Sequence, residues 1–192
     1  MSTRATADYG FTLPTVEQRQ NEVNEIVRLT QYTYNDGGRA STPVFVYNDG
    51  GREAAGYEGK AGDCVCRAIA IAAHLPYQQV YERLAEGNAS QRKSKRSPRQ
   101  RTRSADNGIN ATRKWFKDYM VELGFTWAPT MQIGAGCTTH LKADELPSGH
   151  LVVCVSKHFT AVINGVIQDT HDCSRDGTRC VYGYYTNNGP TK

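Results

Sequence analysis

The sequence predicts an α+β domain, because helical patterns dominate up to about residue 123 and strand patterns dominate after it. The clearest strand signal is the dipeptide Asn164-Gly165 between two runs rich in β-branched residues, which is typical of a β-hairpin. At 192 residues the chain is long enough for one domain with a proper core and too short for two to be expected. We therefore expect helices packed on an antiparallel sheet.

The first elements are assigned to an N-terminal extension. Residues 1–39 are expected to form this extension with one helix, and residues 40–192 to form the domain itself. The helix is predicted over Thr15–Thr30, where Thr15 and Gln18 fit a capping box.

A short motif occurs twice near this boundary. Tyr34–Arg39 and Tyr47–Arg52 have the same sequence, Tyr-Asn-Asp-Gly-Gly-Arg, and Asn-Asp-Gly is typical of a turn. Pro43–Tyr47 is predicted to be a short strand between the two turns. Two copies do not make a solenoid, which needs at least three repeats.

A buried helix is predicted to begin at Cys64. Asp63 precedes it as an N-cap whose carboxylate can accept hydrogen bonds from the free amides of the first turn. From Arg67 to His74 the residues are small or apolar nearly all round, which is typical of a helix inside a core. A thiol at a helix N-terminus lies at the positive end of the backbone dipole, which favours the thiolate that cysteine hydrolases use as nucleophile. The alternative is that Cys64 is simply a small buried residue, as free cysteines usually are.

Further helices and strands are predicted around these motifs. One helix is expected over Tyr77–Glu86, with Gly87 as its stop. Another begins at Asn110 or Thr112 and ends at Leu123. The remaining strands are expected at Thr130–Ile133, His150–Val155 and Arg179–Thr186.

The hairpin is predicted to hold a histidine and an aspartate on one face. A two-residue turn at Asn164-Gly165 fixes a register in which Thr160 faces Asp169. His158 then faces His171 and lies diagonal to Asp169, roughly 7 Å away along the backbone. A histidine base oriented by a carboxylate is the second half of a Cys-His-Asp constellation. The alternative is a solvated face that happens to carry two polar residues.

These motifs together resemble the papain-like cysteine peptidase superfamily. The resemblance covers about residues 47–185 and rests on Gly-Asp-Cys before an Ala/Ile-rich helix, on Ser-Lys-His-Phe, and on Asn-Gly-Val-Ile-x-Asp. Within the superfamily the likeness is greatest to small, mostly uncharacterised proteins of bacteriophages and prophages. The resemblance implies a papain-like fold, with Cys64 as nucleophile, His158 as base and Asp169 as the residue that orients the base.

The same resemblance implies an activity. A protein or peptide substrate would have an amide bond (peptide, isopeptide or similar) hydrolysed by the thiol, with no metal or organic cofactor. The family commonly has a glutamine shortly before the cysteine that binds the oxyanion, whereas the corresponding positions here are Glu58 and Gly59. The backbone amide of Cys64 is expected to supply part of the oxyanion hole.

Charge is concentrated in one segment. The chain has a formal net charge of +4, but residues 91–103 carry seven positive charges and no acid, so the remainder has 16 basic and 19 acidic residues. Such a segment is expected to be a mobile loop or arm. Arg92–Arg103 could make weak, salt-sensitive contacts with nucleic acid. This supports an alternative function, a catalytically weak or inactive papain-like scaffold that binds a host protein or nucleic acid.

The compartment is expected to be the cytoplasm, that of the host if a phage encodes the chain. No apolar run approaches the roughly 20 residues that a membrane span needs, and Met1–Gly10 has no apolar region of a signal peptide. The six cysteines are therefore expected to stay reduced.

Other constellations fit less well. Cys137 and His140 could join Cys64, Cys66 and Cys173 in a zinc site, but the spacings do not match the paired Cys-x₂₋₄-Cys of structural zinc sites. Cys66 is expected to be a core residue. The alternative bases are His140, His150 and His171.

Overall fold

The computed structural model describes residues 44–60, 62–91, 103–106, 109–132 and 134–187. The predicted extension at 1–39 with its helix, the first copy of the Tyr-Asn-Asp-Gly-Gly-Arg motif, and residues 92–102 of the basic segment lie outside these ranges.

Three helices and six strands make up the regular structure of the described residues. The helices are α1 (Cys64–Ala73), α2 (Tyr77–Ala89) and α3 (Lys114–Glu122). The strands are β1 (Val44–Tyr47), β2 (Thr126–Pro129), β3 (His150–Val155), β4 (His158–Ile163), β5 (Val166–Asp169) and β6 (Val181–Thr186). The strands form one sheet in the order β1-β5-β4-β3-β6-β2. The predicted α+β class is confirmed.

The expectation of an antiparallel sheet is wrong at one edge, where β1 runs parallel to β5. All other neighbouring strands in the sheet are antiparallel. The parallel direction carries the chain past the end of β1 to Asn48, whose backbone N–H donates to the carbonyl of Asp169 at 2.9 Å. The Asn48 side chain also donates to Oε1 of Gln168 at 2.8 Å. These polar contacts hold β1 in a register that the local pattern of its own residues does not specify.

The predicted hairpin register is confirmed. Ile163 pairs with Val166 and Val162 with Ile167. Asn164 and Gly165 have φ values of 49° and 83°, as a type I′ turn requires.

Several element boundaries differ from prediction, and in two cases aromatic side chains override the local signals. Helix α2 continues through Gly87 to Ala89, and a Cβ on Gly87 would lie 2.2 Å from the Trp115 ring. Gly87 therefore provides space for Trp115 and is not a helix stop. The predicted strand at Thr130–Ile133 is replaced by β2, four residues earlier, where Trp127 packs on Tyr185 with ring centroids 4.8 Å apart.

Helix α1 is the central buried helix. Every residue from Val65 to Ala72 is buried. On one face of the sheet α1 packs over β3 and β4, and α2 packs against α1. A second apolar cluster that includes Leu141 and Leu151 covers the other face. Each fully buried aliphatic side chain of this kind contributes about 1.5–3 kcal/mol. This packing fixes the N-terminus of α1 beside the first residues of β4.

Candidate active site

Cys64 is the first residue of α1, as predicted, and it is partly exposed while the helix behind it is buried. Asp63 occupies the N-cap position, and its backbone carbonyl accepts the N–H of Arg67 at 3.1 Å. Its carboxylate makes no capping hydrogen bond, so the expectation that it accepts from the first-turn amides is wrong. The side chain turns instead into a buried polar cluster.

Three donors surround the Asp63 carboxylate. Arg52 Nε lies 3.1 Å from Oδ2, and Arg67 Nη1 and the Tyr77 hydroxyl donate at close range to Oδ1 and Oδ2. The Asp63 side chain is 0% exposed, so these partners supply the compensation that a buried charge requires. Because the carboxylate is bound by two arginines, its charge is largely neutralised and it does not cap the helix end at which Cys64 lies.

The second Tyr-Asn-Asp-Gly-Gly-Arg motif forms the predicted turn and braces this cluster. Asn48 and Asp49 accept the backbone N–H groups of Gly50 and Gly51 at 2.8 and 2.9 Å. Gly50 has a φ of 68°, and a Cβ there would lie 3.1 Å from the carbonyl oxygen of Arg67. The motif thus packs tightly against α1 and has a structural role in the described region.

The hairpin brings His158 and Asp169 together as the register predicts. His158 Nε2 lies 2.7 Å from Asp169 Oδ2, and the aspartate side chain is 3% exposed. Asp169 Oδ1 accepts the backbone N–H of Thr170 at 2.7 Å and lies 3.4 Å from Arg67 Nη2. This set of partners fixes the carboxylate, and through it the imidazole.

The thiol of Cys64 lies in the wall of the same pocket as His158, whose side chain affects its pKa. Burial raises the pKa of the Cys64 thiol, but hydrogen bonds from the His158 side chain and the Phe159 backbone lower it. The positive charges of His158 and Arg67 lower that pKa as well, and the net value lies below the ordinary one. The arrangement therefore favours a thiolate at Cys64.

The imidazole is correspondingly held in its protonated form. Burial lowers the pKa of His158, but the hydrogen bond with Asp169 raises it. Hydrogen bonds with the thiols of Cys173 and Cys64 raise the pKa of His158 further, to about 11. For Asp169, burial raises the pKa of the carboxyl, and the hydrogen bond and charge of His158 bring it below its usual value. A thiolate–imidazolium–carboxylate arrangement follows.

A pocket of about 380 Å³ opens beside the thiol. Cys64, His158, Cys154, Lys157 and Gly62 contribute to its wall. The rest of the wall is apolar or aromatic, from Val65, Ala105, Ile109, Val155, Phe159 and Tyr182. Tyr182 is the extra residue of a β-bulge, since Cys154 pairs with Gly183 while Val155 pairs with Val181. The volume lies within the range of small-ligand sites and suits one side chain of a substrate.

The pocket wall offers backbone amides rather than an amide side chain as oxyanion donors. The N–H of Cys64 is one of the first-turn amides that have no partner within a helix. Glu58, at the position expected of an oxyanion glutamine, is exposed, and its carbonyl accepts from Arg52 at 2.9 Å. Neither asparagine nor glutamine is among the described residues that line the pocket.

The other histidines have different partners. His140 Nδ1 lies 3.0 Å from Glu145, and His150 Nδ1 lies 3.1 Å from the carbonyl of Ala72. His171 is exposed beside His158, with ring centroids 5.2 Å apart, as its position opposite His158 predicts. His158 is the histidine that interacts with the Cys64 thiol.

Of the remaining cysteines, two form a disulfide and one is a core residue. Cys137 and Cys180 form a disulfide, so the expectation that all six stay reduced is wrong. The fold brings the two together because Val181, next to Cys180, donates to the carbonyl of Thr139 at 2.9 Å. Cys66 is a core residue as expected, with burial raising the pKa of its thiol. Because Cys137 is bonded to sulfur, the zinc set considered from sequence does not assemble.

A smaller group of metal-ligand types does occur. Ligand atoms of His158, Asp169 and buried Cys173 all lie within 4.8 Å of one another. The carboxylate of Asp169 is already bound by the imidazole and lies close to Arg67, whose cation disfavours a metal ion. These three side chains therefore fit a hydrogen-bonded group better than a metal centre.

Sequence reasoning missed three contributors to the site, namely Arg67, Lys157 and Cys173. Arg67 carried a signal, since it follows Asp63 by one helical turn and such pairs contact each other. Lys157 carried one in its position next to His158. Cys173 carried none, because its proximity to the imidazole depends on the folded sheet.

Comparison of the chain with protein-family models, with curated proteins and with solved structures finds no match. Within the described residues, no helix combines the length and the apolar character that crossing a membrane requires.

Proposed function

We propose that this chain is a thiol hydrolase of the papain-like type that cleaves an amide bond, peptide, isopeptide or similar. The observation that carries the proposal is the 2.7 Å contact between His158 and Asp169, with Cys64 in the wall of the same pocket as His158 and the pKa of its thiol lowered by the imidazole. In this account Cys64 is the nucleophile, His158 the proton carrier and Asp169 the residue that orients it. The resemblance of the sequence to small papain-like proteins of bacteriophages and prophages is part of the same proposal.

The reaction would proceed in two steps. The Cys64 thiolate attacks the carbonyl carbon, and the negative charge that develops on oxygen lies near the free amides at the start of α1. The His158 imidazolium gives its proton to the leaving amine, which breaks the C–N bond and leaves a thioester. His158 then takes a proton from water, whose oxygen attacks the thioester carbon. The C–S bond breaks, which releases a carboxylic acid and restores the Cys64 thiolate beside the His158 imidazolium.

The proposed chemistry needs no metal or organic cofactor, and its substrate would be a protein or peptide. A cytoplasmic location has less support, because disulfides such as Cys137–Cys180 persist mainly in oxidising compartments.

Labelling with a thiol-reactive peptidyl probe tests the proposal. The probe should modify the native chain at Cys64, and the Cys64→Ala variant should not react. Cys66→Ala is the matched control, since it removes a buried thiol two residues away in the same helix. Labelling that is lost equally in both variants, or in neither, would refute the assignment of Cys64.

A further inference from the structure

The turn between β3 and β4 places a lysine at the pocket. Strand β3 ends at Val155 and β4 begins at His158, so Ser156 and Lys157 form the whole connection. Lys157 is exposed and lines the pocket together with Cys64. A flexible four-carbon stem lets a lysine ammonium reach across the mouth of a pocket of this size.

The backbone at this lysine is in an unfavourable conformation. Lys157 has a φ of 57°, in the left-handed region that glycine or asparagine adopts at lower cost. Arg179 stabilises the turn, because its Nη2 donates to the carbonyl of Ser156 at 2.6 Å. Residues with a strained backbone occur preferentially at functional sites, and the strained residue here carries a cationic side chain.

The charge of this lysine has no counter-charge in the described structure. Among the described residues no acid forms an ion pair with Lys157, whereas Lys114 and Lys142 are paired with Asp118 and Glu145. Apart from Cys64 and His158, whose thiolate and imidazolium offset each other, the remaining described residues that line the pocket are uncharged. An anionic group entering the pocket would therefore meet at its exposed edge one cation that has no acidic partner among the described residues. The attraction is largest at low salt, because an exposed charge is screened by ions.

We infer that Lys157 binds a carboxylate of the substrate next to the scissile amide. This inference rests on the proposed function and names its substrate class, an acyl group with an apolar part and a neighbouring carboxylate. The carboxylate could belong to an acidic side chain or to a free C-terminus. Lys157 would determine specificity, whereas the chemical steps stay with Cys64 and His158.

Peptide reporters separate the two sources of carboxylate. One pair carries Glu or Gln beside the scissile amide, and a second pair ends there in a free acid or an amide. A preference for Glu identifies a side chain, and a preference for the free acid identifies a C-terminus. In either case the preference should be lost in Lys157→Gln, and equal turnover within both pairs by the native chain would overturn the inference.

Small alkylating reagents give a direct test on the full chain. Iodoacetate carries the carboxylate and iodoacetamide is its neutral analogue, and the modification of Cys64 is followed by peptide mass spectrometry. The rate constant for iodoacetate divided by that for iodoacetamide should fall at least about threefold in Lys157→Gln at low salt, because one cation near the thiol is removed. Lys117→Gln is the control, since it removes the same charge from an exposed residue of α3 that does not line the pocket.

The outcomes distinguish this inference from the proposed function. If Cys64 reacts faster than the other free cysteines but the ratio is the same in native chain and Lys157→Gln, the inference is wrong and the function stands. An equal fall in both lysine variants would also overturn it, because the effect would then be one of overall charge. If Cys64 reacts no faster than the other thiols, the proposed function fails, whatever the ratio.

Discussion

At the scale of single residues, the buried carboxylates Asp63 and Asp169 share one cation, Arg67. Arg67 is 2% exposed, and its two ion pairs join the start of α1 to the end of β5. A buried charge left without a partner costs several kcal/mol, so each member of this group depends on the others. The shared arginine therefore fixes the distance between the helix that carries the thiol and the hairpin that carries the imidazole.

Asp169→Asn tests the role of the carboxylate. The amide keeps the size of the side chain but removes the charge that raises the pKa of His158, so the imidazolium and the thiolate it stabilises are both lost at neutral pH. We expect the alkylation rate of Cys64 near pH 6 to fall at least about tenfold, with its inflection moving to higher pH.

Asp176→Asn is the control for this change, since it removes the same charge from an exposed residue whose left-handed φ of 53° suits asparagine. Thermal unfolding shows whether each variant is folded. Equal alkylation profiles for native chain and a folded Asp169→Asn would show that the carboxylate does not activate the thiol.

At the scale of elements, the contact between Gly87 and Trp115 makes a prediction of unusual sign. Glycine to alanine inside a helix normally stabilises it by about 1 kcal/mol. Here the added methyl group would lie 2.2 Å from the Trp115 ring, so Gly87→Ala should destabilise the chain, by about 1–3 kcal/mol in urea unfolding.

The same substitution in a Trp115→Leu background provides the control. With the ring removed, Gly87→Ala should be neutral or stabilising. If Gly87→Ala stabilises the native chain as well, the packing of α3 on α2 described above is wrong.

The elements also show which parts of the fold can be predicted from the sequence. The hairpin was predicted with its register because the Asn164-Gly165 turn and the flanking residues are adjacent in the chain. The parallel pairing of β1 with β5 could not be predicted, because it depends on contacts such as Asn48 with Gln168, 120 residues apart. The disulfide between Cys137 and Cys180 could not be predicted either, because it joins residues 43 positions apart. The expectation of reduced cysteines depended on the lack of a signal-peptide pattern, which says nothing about which cysteines the fold brings together.

At the scale of the whole molecule, ionisation of His158 and Asp169 makes the free energy of unfolding depend on pH. The pKa of His158 is about 11 in the folded chain, against about 6.5 for an ordinary histidine. Its contribution to stability is therefore fully present below about pH 6.5 and is lost as pH rises toward the folded value. Asp169 acts in the opposite sense, because its lowered pKa gives a contribution that is lost only as pH falls through the acid range.

Urea unfolding of Cys64→Ala and Cys64→Ala/His158→Gln isolates this effect, since neither protein has the ionising thiol. The first should be more stable at about pH 6, and the difference should shrink by at least about 1 kcal/mol at about pH 9.5. A difference that is the same at both values would show that His158 gains no proton affinity on folding.

The rate of alkylation of Cys64 by iodoacetamide, measured in the native chain from about pH 4 to 10 and resolved by peptide mass spectrometry, tests the central claim most directly. We predict an inflection for Cys64 well below the value of about 8.5 expected of a free thiol, and a rate at neutral pH above that of Cys66, Cys154 and Cys173. An inflection at or above that value, with Cys64 reacting no faster than the other free cysteines, would contradict the assignment of a catalytic thiolate.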